Sequence, residues 1–183
     1  MRYKWFTLIV LFAFFLSCGD ETLPKPKGML RLDYPQAKHV SMKSEKFQFK
    51  GNALANVKKE ANNALTLDYP LLDAAIYITY KPVEENLNSL LSDAQKLSYE
   101  HVIKADDISE QPYINPEDSV YGMFYEVRGD AASQAQFYVT DSTRHFVTGS
   151  LYFYAKPNYD SIYPAAIYLQ KDIRRIMETI KWQ

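Results

Sequence analysis

The sequence predicts an α+β fold in which an antiparallel sheet is packed by two long amphipathic helices. Three strand-like runs follow one another between short turn signals, and two other segments carry apolar residues at intervals of three and four. Helical segments that flank a run of strands are typical of helices packed on an antiparallel sheet, rather than of alternating βαβ units. With 183 residues, the chain is long enough to bury one sizeable core.

The N-terminus has the features of a secretory signal. Arg2 and Lys4 give a positive start, an apolar run covers residues 6–16, and the small Ser17 precedes Cys18. This run is shorter than the roughly 20 residues that a membrane-spanning helix needs. We therefore expect residues 1–17 to be a cleaved lipoprotein signal peptide.

Cys18 is the only cysteine in the chain, so it has no partner for a disulfide within the chain. A catalytic thiol inside a leader segment would be lost on cleavage or left outside any site. The stretch Phe15-Leu16-Ser17-Cys18 resembles a bacterial lipobox, whose cysteine takes a diacylglyceryl group and becomes the new N-terminus. Two or three fatty acyl chains, such as palmitate, suffice for stable anchoring. Cys18 is therefore the predicted lipidation site.

The segment after the cysteine predicts a tether. Residues 18–28 are polar and include Pro24 and Pro26, which favour an extended chain. From Met29 onwards the sequence has globular patterning, so residues 29–183 are predicted to form a single α+β domain.

The first half of this domain predicts strands followed by a helix. Phe47 and Phe49 suggest a short strand, and the β-branched and aromatic run Ala75–Tyr80 predicts a second, which stops at Pro82. A helix is predicted over Asn86–Lys104 because apolar residues recur at helical spacing. These are Leu87, Leu90, Leu91, Ala94 and Leu97.

The second half predicts three antiparallel strands and a C-terminal helix. The strand-like runs are SVYGMFYEVRG, QAQFYVTDS and RHFVTGSLYFYA, with turns at Gly129-Asp130 and Asp141-Ser142. The final segment has an apolar stripe formed by Ile162, Ala166, Leu169, Ile173, Ile176 and Ile180. The element order resembles PsbP-like α/β sandwiches, an analogy of fold that carries no function.

Composition and motifs favour neither nucleic acid nor a cofactor as a partner. There are 21 basic and 22 acidic side chains, so no global positive field attracts a phosphate backbone. The six glycines form no nucleotide-binding loop. Ser150 lies in Thr148-Gly149-Ser150 within a strand pattern, not in a nucleophile elbow.

Candidate metal-binding and acid–base residues are scattered. His39, His101 and His145 lack metal-ligand spacing, and their interpretation as unrelated histidines is favoured. Asp106 and Asp107 are adjacent, so on an extended chain their side chains would point in opposite directions. A solvated loop is the favoured interpretation, and no catalytic, metal-binding or cofactor-binding residue is predicted.

Two short motifs have simple explanations. The integrin-like tripeptide Arg128-Gly129-Asp130 falls where a hairpin needs a glycine turn. LRLDYP at Leu30–Pro35 is echoed by LTLDYP at Leu65–Pro70, but the flanking residues do not match. Chance or a reused turn is favoured over a genuine duplication.

Several long stretches resemble one known family. They are PKPKGMLRLDYP, ITYKPVEENLNSLLSDAQKLSYEHVIKADDI and GSLYFYAKPNYDSIYPAAIYLQKDIRRIMETIKW, in that order, behind the lipobox at Cys18. They are spread along the mature chain from its start to its end and are similar to the GldD gliding-motility lipoproteins of the Bacteroidetes. Met29 departs from the resemblance, since a bulkier aromatic residue is expected at that position.

The resemblance implies a non-enzymatic lipoprotein that is needed for gliding motility and for the associated type IX secretion machinery. It also implies partners among the gliding and secretion proteins, and no small-molecule substrate. A lipid-anchored, periplasm-facing position in the cell envelope is expected. The alternative hypothesis is an envelope lipoprotein that binds a glycan or a small ligand through its 15 tyrosines and 10 phenylalanines.

Overall fold

The computed structural model describes residues 33–100, 104–155 and 158–183. This part of the chain forms two antiparallel sheets and two α-helices. The coarse prediction of an α+β fold built on an antiparallel sheet is therefore confirmed.

The larger sheet has seven strands in the order β3-β4-β5-β9-β8-β7-β6. Its strands are β3 (Asn56–Lys59), β4 (Leu65–Tyr69), β5 (Ala74–Pro82), β6 (Ala105–Asn115), β7 (Val120–Gly129), β8 (Ser133–Thr140) and β9 (His145–Phe153). The long central pairing of β5 with β9 runs from Ala74↔Phe153 to Pro82↔His145. The three predicted consecutive strands are β7, β8 and β9, and they pair in sequence order.

The smaller sheet has the order β1-β2-β10 and joins the two ends of the described chain. Its strands are β1 (His39–Lys43), β2 (Phe47–Asn52) and β10 (Lys181–Trp182). Trp182 pairs with Phe47, and its indole N–H donates to the carbonyl of Ser119 at 3.0 Å. The C-terminal strand is therefore fixed to both the small sheet and the turn before β7.

The two helices lie on opposite faces of the large sheet. Helix α1 (Leu87–Tyr99) packs Leu90 and Ala94 against Phe146, whereas α2 (Tyr159–Glu178) packs Leu169 and Ile173 into the main core. Residues alternate between the two faces along each strand. The small sheet shares the α2 face, where Phe47 and Phe49 join the same core.

The helices differ from the prediction in length. Helix α2 has 20 residues, but α1 has 13 and ends at Tyr99, short of the predicted Lys104. Leu97, which was assigned to its apolar stripe, is 37% exposed, and Ser98 is buried in its place. The buried face of α1 is thus narrower than the periodicity indicated.

The prediction of a solvated loop at Asp106 and Asp107 is wrong in its secondary structure. Both residues belong to β6, an edge strand that pairs with β7, and Asp106 forms a bulge there. Both side chains are exposed, in agreement with their charge. Edge strands tolerate charged residues on both faces, so β6 lacks the alternation that identifies a half-buried strand.

No helix in the described ranges is long and apolar enough to cross a membrane.

Candidate functional site

A cavity of about 310 Å³ lies where the described chain begins, between α2 and the end of β4. Its walls are aromatic and aliphatic, with one carboxylate. The lining residues are Asp33, Tyr34, Pro35, Leu54, Tyr69, Leu71, Leu72 and Tyr168. This volume is at the lower end of the range for pockets that hold a small ligand.

One wall is formed by the N-terminal segment held against α2. The ring of Tyr34 stacks on that of Tyr168 with centroids 5.0 Å apart. The Tyr168 hydroxyl donates to the carbonyl oxygen of Pro35 at 2.9 Å. Because two independent contacts join these elements, the segment has a fixed position at the cavity.

The opposite wall comes from the turn after β4. Pro70 begins a 3-10 turn that extends to Leu72, since proline is favoured in the first turn of a helix. Asp73 ends this turn in the left-handed conformation, with φ of 46°. Leu71 is left 84% exposed at the cavity, an unusual position for a leucine.

A buried polar cluster adjoins the cavity. The Asn52 amide donates to the Asp172 carboxylate at 2.7 Å and to the Tyr168 hydroxyl at 3.1 Å. The His39 Nε2 atom lies 3.8 Å from the other Asp172 oxygen. Burial raises the pKa of Asp172 above its ordinary value, although the Asn52 hydrogen bond and the His39 charge act in the opposite direction.

The hydroxyl group of Tyr69 is the second buried polar group beside the cavity. The residue is only 2% exposed, and its hydroxyl makes no hydrogen bond of acceptable geometry within the described ranges. Burial, and then the charge of the nearby Asp172, raise the pKa of this phenol well above its ordinary value. The phenol is therefore neutral, and the Asp172 carboxylate is the acceptor that its O–H faces.

The two copies of the DYP motif meet at this cavity. Asp33, Tyr34 and Pro35 from the first copy and Tyr69 from the second are among its lining residues. The chain reaches the cavity once from the N-terminal segment and once from β4. The two Asp-Tyr-Pro sequences thus contribute residues to two different walls of the same cavity.

The two described histidines belong to different environments. His39 lies beside Asp172, whereas His145 begins β9, where its Nδ1 atom is 3.0 Å from the Tyr80 hydroxyl and its ring stacks on Trp182. His101 lies outside the described residues. Within those residues, no group of three or more histidine, cysteine, aspartate or glutamate side chains is arranged to hold a metal ion.

The other motifs have structural positions. Ser150 is a buried strand residue in β9. Gly129 ends β7 with φ of 102°, and the Asp130 carboxylate accepts the backbone N–H of Tyr159 at 2.8 Å. Arg128 and Gly129 therefore end β7, and Asp130 begins the bend after the strand and also holds the start of α2.

Sequence reasoning missed Asn52, Tyr69 and Asp172 as site residues. A signal was present for Asp172, which lies three residues after Leu169 and four before Ile176, within the apolar stripe of α2. A carboxylate in such a stripe must be buried and needs polar partners. The sequence around Asn52 and Tyr69 has no comparable feature that would identify them as site residues. The predicted lipidation site, Cys18, lies outside the described residues.

The model of the GldD gliding motility lipoproteins matches residues 19–182. A search of curated proteins found no match. The matched range starts one residue after Cys18 and includes the whole described fold and the cavity. The chain belongs to the family of gliding motility lipoproteins GldD.

Proposed function

We propose that this chain is a lipid-anchored cell-envelope subunit, required for gliding motility and for the associated type IX secretion machinery. In this role it assembles or stabilises protein partners and catalyses no reaction. The observation that carries the proposal is the family match over residues 19–182, which includes every described element.

The anchor is Cys18, carrying fatty acyl chains. Asp33 is the fifteenth residue after Cys18, and an extended chain spans at most about 3.5 Å per residue. The entrance of the cavity is thus held within about 50 Å of the lipid attachment point. A protein with this geometry meets partners that are in, or close to, the same membrane.

The proposed position is periplasm-facing, with other gliding and secretion proteins as partners. Asp20 and Glu21 lie two and three residues after the anchor and are candidates for an export signal. Isolation of the lipidated protein from the native envelope, with its partners, would establish both membrane and neighbours. Recovery of the protein alone from every membrane fraction would count against an assembly role.

Deletion of the gene tests the function directly. We expect the deletion strain to lose colony spreading and to retain type IX cargo inside the cell. The same gene supplied in trans should restore both. A deletion strain that spreads and secretes normally would overturn the proposal.

A second candidate function is binding of a glycan or small ligand, and the cavity favours it. Tyr34 and Tyr168 place two half-buried aromatic rings in one concavity, and aromatic faces stack on sugar rings. Titration with neutral glycosides should then quench tyrosine fluorescence in the wild type and not in Tyr34→Ala. Unchanged fluorescence across a glycoside panel would remove this candidate.

The PsbP-like sandwich stays a proposal about the fold. The antiparallel sheet with α2 on one face supports it. Superposition of an experimental structure on PsbP-like domains is the test.

A further inference from the structure

We infer that the cavity lined by Tyr34, Tyr69 and Tyr168 receives a basic side chain, an arginine or a lysine, from a partner protein in the envelope. This inference rests on the proposed function as an assembly subunit and adds to it the contact site and the chemistry of the partner. It follows from the apolar walls, the aromatic faces and the charge of the cavity.

The walls suit the aliphatic part of a long side chain. Leu54 and Leu71 line the cavity and are 38% and 84% exposed, so both present apolar surface to an entering group. The backbone N–H of Leu54 donates to the Asn52 side chain at 3.1 Å, which fixes that wall. Arginine and lysine bury apolar stems while their charged ends remain in a polar environment.

The aromatic faces suit a cation. Tyr34 and Tyr168 form a stacked pair of half-buried rings at the cavity, whereas Tyr69, which also lines it, is only 2% exposed. The electron-rich face of an aromatic ring attracts an ammonium or guanidinium group. Guanidinium also stacks flat on such rings, which favours arginine over lysine.

The charges of the site exclude an anion. Asp33 is the one charged residue among the described lining residues, and Asp172 lies behind the wall with its carboxylate almost fully buried. The Tyr69 hydroxyl is buried and faces Asp172, so the Asp33 carboxylate is the acceptor that an entering N–H group meets. Among the described residues that line the cavity, a phosphate, sulfate or acidic sugar would meet one carboxylate and no cation.

The surroundings of the entrance favour a protein as the source. A free cation would leave Leu71 in water, whereas a protein surface around the entering side chain would cover it. Residues around an anchor side chain that exclude water strengthen such a contact.

A peptide titration tests the chemistry. The full lipidated chain in detergent micelles, with isotope-labelled tyrosine rings, is titrated with blocked Ala-Arg-Ala and with its neutral citrulline analogue, which has nearly the same shape. We expect the arginine peptide to shift the ring signals of Tyr34, Tyr69 and Tyr168. It should bind about tenfold more tightly than the citrulline peptide, because charge-assisted hydrogen bonds are stronger than neutral ones.

Matched variants make the titration specific. Asp33→Asn should remove most of the preference for arginine, whereas Glu117→Gln, which neutralises an exposed carboxylate in the turn before β7, should leave it unchanged. Equal binding of the two peptides would overturn the inference. So would larger shifts of the same signals by methyl glucoside, or by nanodiscs that contain phosphatidylethanolamine.

Photo-crosslinking tests the partner in the native envelope. A photoreactive amino acid at Leu71 should crosslink to another envelope protein beside an arginine or lysine, and Asp33→Lys should abolish that product. The same group at Tyr121, which is 36% exposed on the α1 face, is the positional control. Products with lipid, glycan or this chain alone would contradict the inference. The deletion phenotype is scored separately, so a normal phenotype would refute the proposed function without deciding what the cavity binds.

Discussion

At the scale of single residues, the buried carboxyl of Asp172 has a strong need for polar partners. It is 3% exposed and depends on one strong hydrogen bond, from Asn52 at 2.7 Å. Removal of the partner of a buried charge is costly because the remaining charge keeps its desolvation penalty.

We therefore expect Asn52→Ala to lower the free energy of unfolding by about 3 kcal/mol at neutral pH. The loss should shrink in acid. The pKa of Asp172 is already raised, and loss of the Asn52 donor raises it further, so the folded variant takes up a proton more readily than the wild type. Urea unfolding at about pH 7 and pH 5 measures both effects. Asn56→Ala, at an exposed position in β3, is the control, and an equal or larger loss at the lower pH would contradict the explanation.

Gly149 is a second position at which the surrounding structure restricts the residue type. A Cβ atom at this position would overlap the ring of Phe137, its partner in the neighbouring strand. We expect Gly149→Ala to cost about 2 kcal/mol, since overpacking of a core displaces side chains. Thermal unfolding measures the cost. Gly149→Ala combined with Phe137→Leu should recover part of it, and a variant as stable as the wild type would refute the contact.

The sequence contains little indication of which residues form the site. Asp172 could have been identified from its place in the apolar stripe of α2. The buried Tyr69 could not, because many tyrosines have similar neighbours in sequence and only the fold decides which hydroxyl is buried beside a carboxylate. The cavity likewise needs Asp33 and Tyr69, 36 residues apart in sequence, to meet.

At the scale of elements, α1 offers a matched test of burial. Leu90 is 6% exposed and packs with Ala94 and Phe146, whereas Leu97 is 37% exposed. We expect Leu90→Ala to lower the free energy of unfolding by about 2.5 kcal/mol and Leu97→Ala by less than about 1 kcal/mol. Urea titration of the two variants provides the comparison. Equal losses would show that Leu97 belongs to the buried face, as its spacing in the sequence suggested.

Trp182 in β10 stacks on His145 at the start of β9. The free energy of unfolding should depend on pH through this histidine. Burial lowers the pKa of this imidazole, with help from the positive charges of Arg144 and Lys46, while Asp141 acts in the opposite direction. Tyr80 and Trp182 complete its surroundings. Because the folded pKa is depressed, the unfolded chain takes up this proton first as the pH falls. Stability is therefore lost from the ordinary value of 6.5 downwards.

We expect His145→Gln to remove this part of the pH dependence, since glutamine can hydrogen-bond to Tyr80 and does not titrate. The measurement is the unfolding midpoint in urea at about pH 7.5 and pH 5.5 for both proteins. If the variant loses as much stability between these pH values as the wild type, His145 is not the group responsible.

Elements with strong patterning were predictable, and edge elements were not. The runs that became β5, β7, β8 and β9 are rich in β-branched and aromatic residues, as buried central strands require. In contrast, β3 reads NVKK, and β6 carries Asp106, Asp107 and Glu110 in an exposed edge strand. Their pairing is determined by the neighbouring strand, which their own residues do not reveal.

At the scale of the whole molecule, the proposed lipid anchor and the first lining residue of the cavity are close in sequence. Cys18 would hold the chain on a membrane, the residues up to Asp33 would set the distance, and Asp33 lines the cavity. The family match shows what kind of lipoprotein this is, and the cavity is the site where we propose that a partner attaches.

The most direct test of the central claim is complementation of a deletion strain with a Cys18→Ser variant, scored by colony spreading and by membrane fractionation. The signal peptide of the variant is exchanged for one with a non-lipoprotein cleavage site, so that the domain is still exported. We predict a folded protein that leaves the membrane fraction and fails to restore spreading, while the wild type restores it. Full spreading with the unanchored variant would contradict the claim that this domain works only where its lipid holds it.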